Sequence, residues 1–225
     1  AAWCRDHGLL LTGHMLQEDT LFDQTCAVGE AMRCYRAFPL PGIDILCDAV
    51  HLGTAKQAQS AARQEGREGV LSELYGVTHW DFDFRGHKFQ GDWQAALGIT
   101  QRVPHLSWTS MEGEAKRDYP ASIHYQSPWY KEYGYIEDHF ARLNTVLTRG
   151  KPVVNIGVIH PIESYWLHWG PGDTGGARRQ VLEERFRDLT HWLLQGLVDF
   201  DFISEASLPD LGGVEAGTLR VGQMR

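Results

Sequence analysis

Six short apolar runs separated by longer amphipathic stretches set the strongest constraint on this chain, because that alternation is the pattern of a parallel sheet wrapped by helices. The runs predict strands over residues 8–15, 42–47, 69–73, 102–108, 152–159 and 198–204. Between them the 3.6-residue spacing of apolar positions predicts helices over 17–36, 54–64, 91–97, 128–148 and 178–194. Pro39 and Pro41 end the first helical stretch, and Gly66 follows the alanine-rich second. No fixed-period repeat and no low-complexity tract interrupts the series, so residues 1–225 read as one domain.

Charge narrows the partners. With 21 Lys and Arg against 29 Asp and Glu, the formal net charge is −8, which argues against a nucleic-acid partner. The longest apolar runs, such as 153–159, are strand-sized and fall short of the roughly 18 residues of a membrane span. The reading is a soluble protein with no membrane partner, and the compartment stays open between cytoplasmic and secreted. Four cysteines, Cys4, Cys26, Cys34 and Cys47, follow no metal-binding spacing and read as buried free thiols.

In a parallel α/β fold the segments after the carboxyl ends of strands form the active face. Those segments carry His14 and Glu18, Asp44 and Asp48, Glu73 and Tyr75, Trp108 and Ser110, His160 and Glu163, and Glu205. They contain no GxGxxG, GxxxxGK[ST] or GxSxG motif, which leaves nucleotide and esterase chemistry without anchors and gives no reason to expect a cofactor. Glu73 (GVLSELYG) and Glu205 (DFDFISEASL) each end an apolar strand, and an ionised group placed there needs partners or a task. Two such carboxyls facing each other suit glycoside hydrolysis: one protonates the leaving oxygen while the other attacks or activates water. A separation of about 5–5.5 Å implies retention, and about 6.5–9.5 Å implies inversion. The plain alternative is that each glutamate pairs with Arg or Lys at the rim.

Sugar rings stack their C–H faces on aromatic side chains, and of the 8 Trp in the chain, Trp80, Trp108, Trp129, Trp166 and Trp169 lie in or beside the strand-end loops. Candidate substrate contacts are therefore His14, Asp44, Tyr75, Trp80, Trp108, Lys116, His160, Glu163 and Trp166. Asp81, Asp83 and Asp92, or Glu112, Glu114 and Asp118, offer oxygen ligands in no EF-hand spacing, so no metal is expected. A metal-dependent hydrolase using His14, Asp44 and His160 stands as a further alternative.

The succession LTGHMLQED, PGIDILCD, VLSELYGVTHWDF, HLSWTSMEGEAKRDYP, SPWYKEY, HPIESYWLHWGP and FDFISEASL resembles the catalytic barrel of clan A glycoside hydrolases over nearly the whole chain. The relatives are β-galactosidases with a trimerisation domain and large multidomain α-L-rhamnosidase-like or sugar-binding glycosidases. The resemblance implies a (β/α)8 TIM barrel, with Glu73 ending strand four as general acid/base and Glu205 ending strand seven as nucleophile or base. Ser72 stands where that clan has Asn. On this alignment the six strands are units two to seven, with strands one and eight outside the chain or partial, and a full barrel takes about 250 residues. Further domains of a parent chain are expected, with an oligosaccharide or glycoside as substrate. A barrel that binds carbohydrate without hydrolysing it is the other reading.

Overall fold

The computed structural model describes residues 1–117 and 123–224. After α1 (Ala2–Asp6) come β1 (Thr12–His14), α2 (Leu21–Ala27), α3 (Ala31–Tyr35), β2 (Leu40–Ile45), α4 (Leu52–Gln64), β3 (Val70–Leu74), α5 (Phe84–Ala96) and β4 (Ile99–Pro104). Then follow α6 (Gly134–Leu147), β5 (Gly157–His160), α7 (Ile162–Trp166), α8 (Gly176–Gln195), β6 (Asp201–Ser204), α9 (Leu208–Leu211), β7 (Gly212–Glu215) and β8 (Thr218–Val221). Strands β1 to β4 form one parallel sheet in chain order, β5 and β6 a second parallel pair, and β7 and β8 an antiparallel hairpin. The α/β class with parallel strands is thus present, while no closed barrel forms among the described residues.

Several element boundaries differ from the sequence reading, each for a local reason. The single helix expected over 17–36 is two. Gly29 turns the chain at φ 80°, and the Gln24 side-chain carbonyl accepts from the Ala31 amide at 3.0 Å, supplying a partner for the first turn of α3. Helix α5 starts seven residues before the expected 91 because Asp83 caps it, accepting from the Arg85 and Gly86 amides at 2.9 and 3.4 Å. Residues 219–221 pair antiparallel with β7 across Ala216 and Gly217, both at positive φ, so they belong to a hairpin. The four cysteines are free, yet Cys26 and Cys47 are exposed and Cys4 and Cys34 half-buried, so the expected burial is not met.

The core explains why α4 is rich in alanine. One face of β2 and β3, through Ile43, Ile45 and Val70, packs with Ala55, Ala58, Ala61 and Ala62, and Val158, Phe200 and Phe202 of the second sheet join the same cluster. A helix buried against both sheets needs small side chains for close approach. Its polar residues also close the sheet edge. Ser60 Oγ accepts from the Phe202 amide at 2.9 Å and Gln64 Nε2 donates to the Phe202 carbonyl at 2.7 Å, so side chains replace a neighbouring strand along β6. Lys56, fully buried, pairs with Asp199 at 2.6 Å, and Arg63 reaches Asp199 and Asp201 at 3.0 and 3.1 Å. Burial raises Asp199, but the hydrogen bonds and charges of Lys56 and Arg63 outweigh it and hold the carboxyl below its ordinary range. Helices α5 and α6 meet at Gly91, where a Cβ would lie 2.0 Å from the Phe140 ring. No described helix is long and apolar enough to cross a membrane.

Candidate active site

Parallel pairing brings the first cluster together. Asp44 in β2 and Glu73 in β3 are register partners, and His14 in β1 pairs with Gly42, two residues before Asp44. These side chains stand on the face opposite Ile43, Ile45 and Val70, because neighbours along a strand alternate. His14 Nε2 lies 3.0 Å from Glu73 Oε2, and His14 Nδ1 donates to the Met15 carbonyl at 2.8 Å and sits 4.0 Å from Asp44 Oδ2. His105, just beyond β4, brings Nε2 to 3.8 Å from Glu73 Oε1. Side chains of His14, Asp44 and Glu73 keep 30%, 23% and 26% of their surface, so solvent and a small ligand reach them.

Burial lowers the His14 pKa, but the Met15 carbonyl and the charges of Asp44, Glu73 and Glu18 more than offset it, so the ring takes up a proton more readily than a free imidazole. Asp44 moves the other way for a carboxyl: burial first, then the charge of Glu73, pushes its pKa up, against the pull of His14 and His105. Two carboxyls interleaved with two imidazoles form a unit able to exchange protons.

One ligand atom each from His14, Asp44 and Glu73 lies within 4.8 Å of the others, a spacing from which a cation could be held. The set His14, Asp44 and His160 is not assembled; among the described residues Glu73 takes the third place.

Beneath this cluster lies a carboxyl that the sequence reading mentions only in passing. Glu18 is 3% exposed, accepts from the Tyr35 hydroxyl, and accepts from the Asp44 amide at 3.3 Å. Burial pushes its pKa up to about 8 in spite of both donors. No spacing in the sequence links residue 18 to 35 and 44; only the fold does.

The second strand end is different. Glu205 follows β6 directly, opening a 3-10 turn over Glu205–Ser207; Ser164 Oγ donates to its Oε1 at 3.4 Å, and Oε2 is buried without a hydrogen bond. His160, the register partner of Ser204, is fully buried between Phe186 and Phe202, with ring centroids 5.2 and 6.0 Å away. Neither ring nitrogen has a hydrogen-bond partner, and burial pulls the pKa down to about 3.

The remaining candidates divide. Trp80, 40% exposed, meets buried Trp108 edge-on at 6.1 Å, and these residues follow β3 and β4 on the side where Glu73 and His105 lie. Tyr75 is buried against His87 and Phe82, its hydroxyl donating to the His87 carbonyl at 3.2 Å, so it serves the core. Lys116 Nζ donates to the Glu112 carbonyl at 2.9 Å. Glu163 pairs with Arg33, whose guanidinium also lies 5.4 Å over Trp166, while the indole donates to Thr25 Oγ1 at 3.1 Å; both residues thus tie α7 to α2 and α3. Asp83 caps α5, and Asp92 bonds Lys88 and His139, while Asp118 lies outside the described residues. A cavity of about 670 Å³ opens among Arg63, Arg67, Lys151, Asn155 and Met224, and none of the candidate residues lines it.

No family model and no curated protein matches the chain. Among solved structures it is similar to a rhamnosidase from Novosphingobium sp. PP1Y, with a TM-score of 0.68 and 14% identity over 98% of this chain and 20% of that one. At that identity the likeness is one of fold, and the chain spans about a fifth of the rhamnosidase's length.

Proposed function

We propose that this chain is the catalytic part of a glycoside hydrolase in which Glu73 is the general acid/base and Glu205 the nucleophile or base. The observation that carries the reading is Glu73 itself: a carboxyl at the carboxyl end of a parallel strand, reached by His14 at 3.0 Å and His105 at 3.8 Å, with solvent access. A group that gives a proton to a leaving oxygen needs a supply, and the His14 ring, with Nε2 3.0 Å from the Glu73 carboxyl, can provide one when protonated. Glu205, directly after β6, is the second strand-end carboxyl available to a two-carboxylate mechanism. Trp80 supplies an exposed ring for a sugar face beyond β3.

The fold-level likeness to a rhamnosidase is support by analogy, and it makes rhamnosides the first substrates to try. On the same reading the two parallel sheets are arcs of a (β/α)8 barrel, β1 to β6 being strands two to seven. The test is hydrolysis of a panel of aryl glycosides, rhamnosides first, with Glu73→Gln and Glu205→Gln beside the unaltered chain. Release of the aryl group that each substitution cuts by about 10²- to 10⁴-fold is expected. The configuration of the first-formed sugar, read by proton NMR, separates retention from inversion. Glycan affinity without any product would replace the hydrolase with a binding barrel, and neither affinity nor product would remove the carbohydrate reading.

A further inference from the structure

We propose that Glu18 is a positioning residue for the Glu73 centre, tying the backbone of Asp44, the register partner of Glu73, to the interior of the fold. This rests on the glycosidase reading for its consequence in turnover, though not for its effect on His14.

Residue 18 is held from four elements at once. Its carbonyl accepts from Gln24 Nε2 of α2 and Gln57 Nε2 of α4, both at 3.0 Å, and those two amides bond each other at 3.0 Å. Its carboxyl takes the Tyr35 hydroxyl of α3 on Oε2 and the Asp44 amide of β2 on Oε1. Asp19 beside it accepts from Thr54 at 3.0 Å and contacts His51 Nδ1 at 2.8 Å, fixing the start of α4. The carboxyl is therefore tied at both oxygens. Because Asp44 and Glu73 are register partners, whatever fixes the Asp44 backbone also fixes the carboxyl pair across β2 and β3.

Packing does not require a carboxyl here. Its burial costs desolvation free energy, and the charged groups that act on it are His14 and Asp19, neither a Lys nor an Arg. The titratable groups facing it are His14 of β1, Asp19, Cys34 and Tyr35 of α3, and Asp44 of β2; α2 and α4 present the neutral Gln24 and Gln57. A carboxyl accepts from both of its donors, whereas an amide offers one oxygen and must set an NH2 against the other donor. A buried carboxyl without a fixed cation, touching the backbone of one site residue and the field of another, is where a tuned centre keeps its support.

The experiment uses Glu18→Gln and Tyr35→Phe in the full chain. Turnover of the responsive aryl glycoside gives kcat, KM and the pH profile, and NMR of the His14 imidazole, assigned with His14→Gln, gives its titration midpoint independently of activity. Glu18→Gln is expected to lower kcat about 10- to 100-fold with KM within about twofold, and to lower the His14 midpoint because an amide cannot accept from both the Tyr35 hydroxyl and the Asp44 amide, which loosens the Asp44 carboxyl that favours the imidazolium. Tyr35→Phe moves both readouts in the same sense and by less. A folded Glu18→Gln protein with unaltered kcat and His14 midpoint overturns the proposal. So does a loss of kcat with an unmoved midpoint and pH profile, which would be packing alone. If Glu18→Gln does not fold, Tyr35→Phe decides on the same terms. If the unaltered chain turns over no glycoside, the hydrolase reading fails and the His14 midpoint alone decides the role of Glu18.

Discussion

The two strand ends that carry the proposed glutamates each hold one histidine and one glutamate, in opposite surroundings. At the ends of β1 to β3, His14 keeps access to solvent, contacts Glu73 and is pushed toward its charged form. At the ends of β5 and β6, His160 is sealed between two phenylalanines, contacts no hydrogen-bond partner and is held neutral. The difference comes from the faces. His14 stands on the side of its sheet away from the core cluster, whereas His160 shares a face with Val158 and Phe202 and points into it. Residue type at a strand end therefore does not determine chemistry; the parity of the residue along its strand does.

The sharpest way to break this contrast is to remove one carboxyl at a time. Glu73→Gln and Glu205→Gln are both expected to lose about 10²- to 10⁴-fold in turnover. If only Glu73→Gln does so, the second end is packing and the contrast becomes one of site against scaffold.

Histidine substitutions come next. His160→Leu removes a buried ring whose nitrogens are unsatisfied, so it should stabilise the fold by about 1 kcal/mol and leave KM unchanged. His14→Leu should leave the melting temperature within a few degrees and reduce kcat by about tenfold. A destabilised His160→Leu protein would show that its ring has a polar partner.

The pH dependence of stability sharpens the same comparison. Between 4.5 and about 8 the folded state keeps a proton on Glu18 that the unfolded chain has lost, so this group makes stability fall as pH rises through that window. Between about 3 and 6.5 the unfolded chain binds a proton that buried His160 refuses, so this group makes stability rise with pH. The two oppose each other from 4.5 to 6.5 and act alone on either side. Thermal melts against pH should show His160→Leu flattening the acid limb and Glu18→Gln flattening the alkaline one. Unchanged limbs in both variants would mean that neither group titrates as its burial demands. The smallest effect separates two tryptophans: Trp80→Ala should raise KM about threefold without lowering the melting temperature, and Trp166→Ala should cost about 1 kcal/mol of stability without altering KM.

Much of this arrangement was legible in advance. The parallel α/β class and the position of Glu73 near a strand end follow from local patterns, since an apolar run bounded by turn residues carries its own signal. Other features had no local trace. The break at Gly29 depends on Gln24 reaching the Ala31 amide, and a helical apolar pattern continues across it. Glu163 and Trp166 look like strand-end site residues until Arg33, 130 positions from Glu163 in sequence, takes both. Glu18 and Tyr35 show nothing of their partnership before the fold brings the Tyr35 hydroxyl onto the Glu18 carboxyl.

By itself the sequence determined the alternation of strands and helices and which acids and imidazoles lie near the strand ends, though not the bounds of each element, because alternation, caps and turn residues act over a few positions. The tertiary structure alone decided which of those side chains face solvent together and which are sealed in the core. It also decided that α4, through Ser60 and Gln64, takes the place of a neighbouring strand along β6. The physical reason is that burial and hydrogen-bond completion are properties of surfaces brought together, and no segment carries them before it meets its partner.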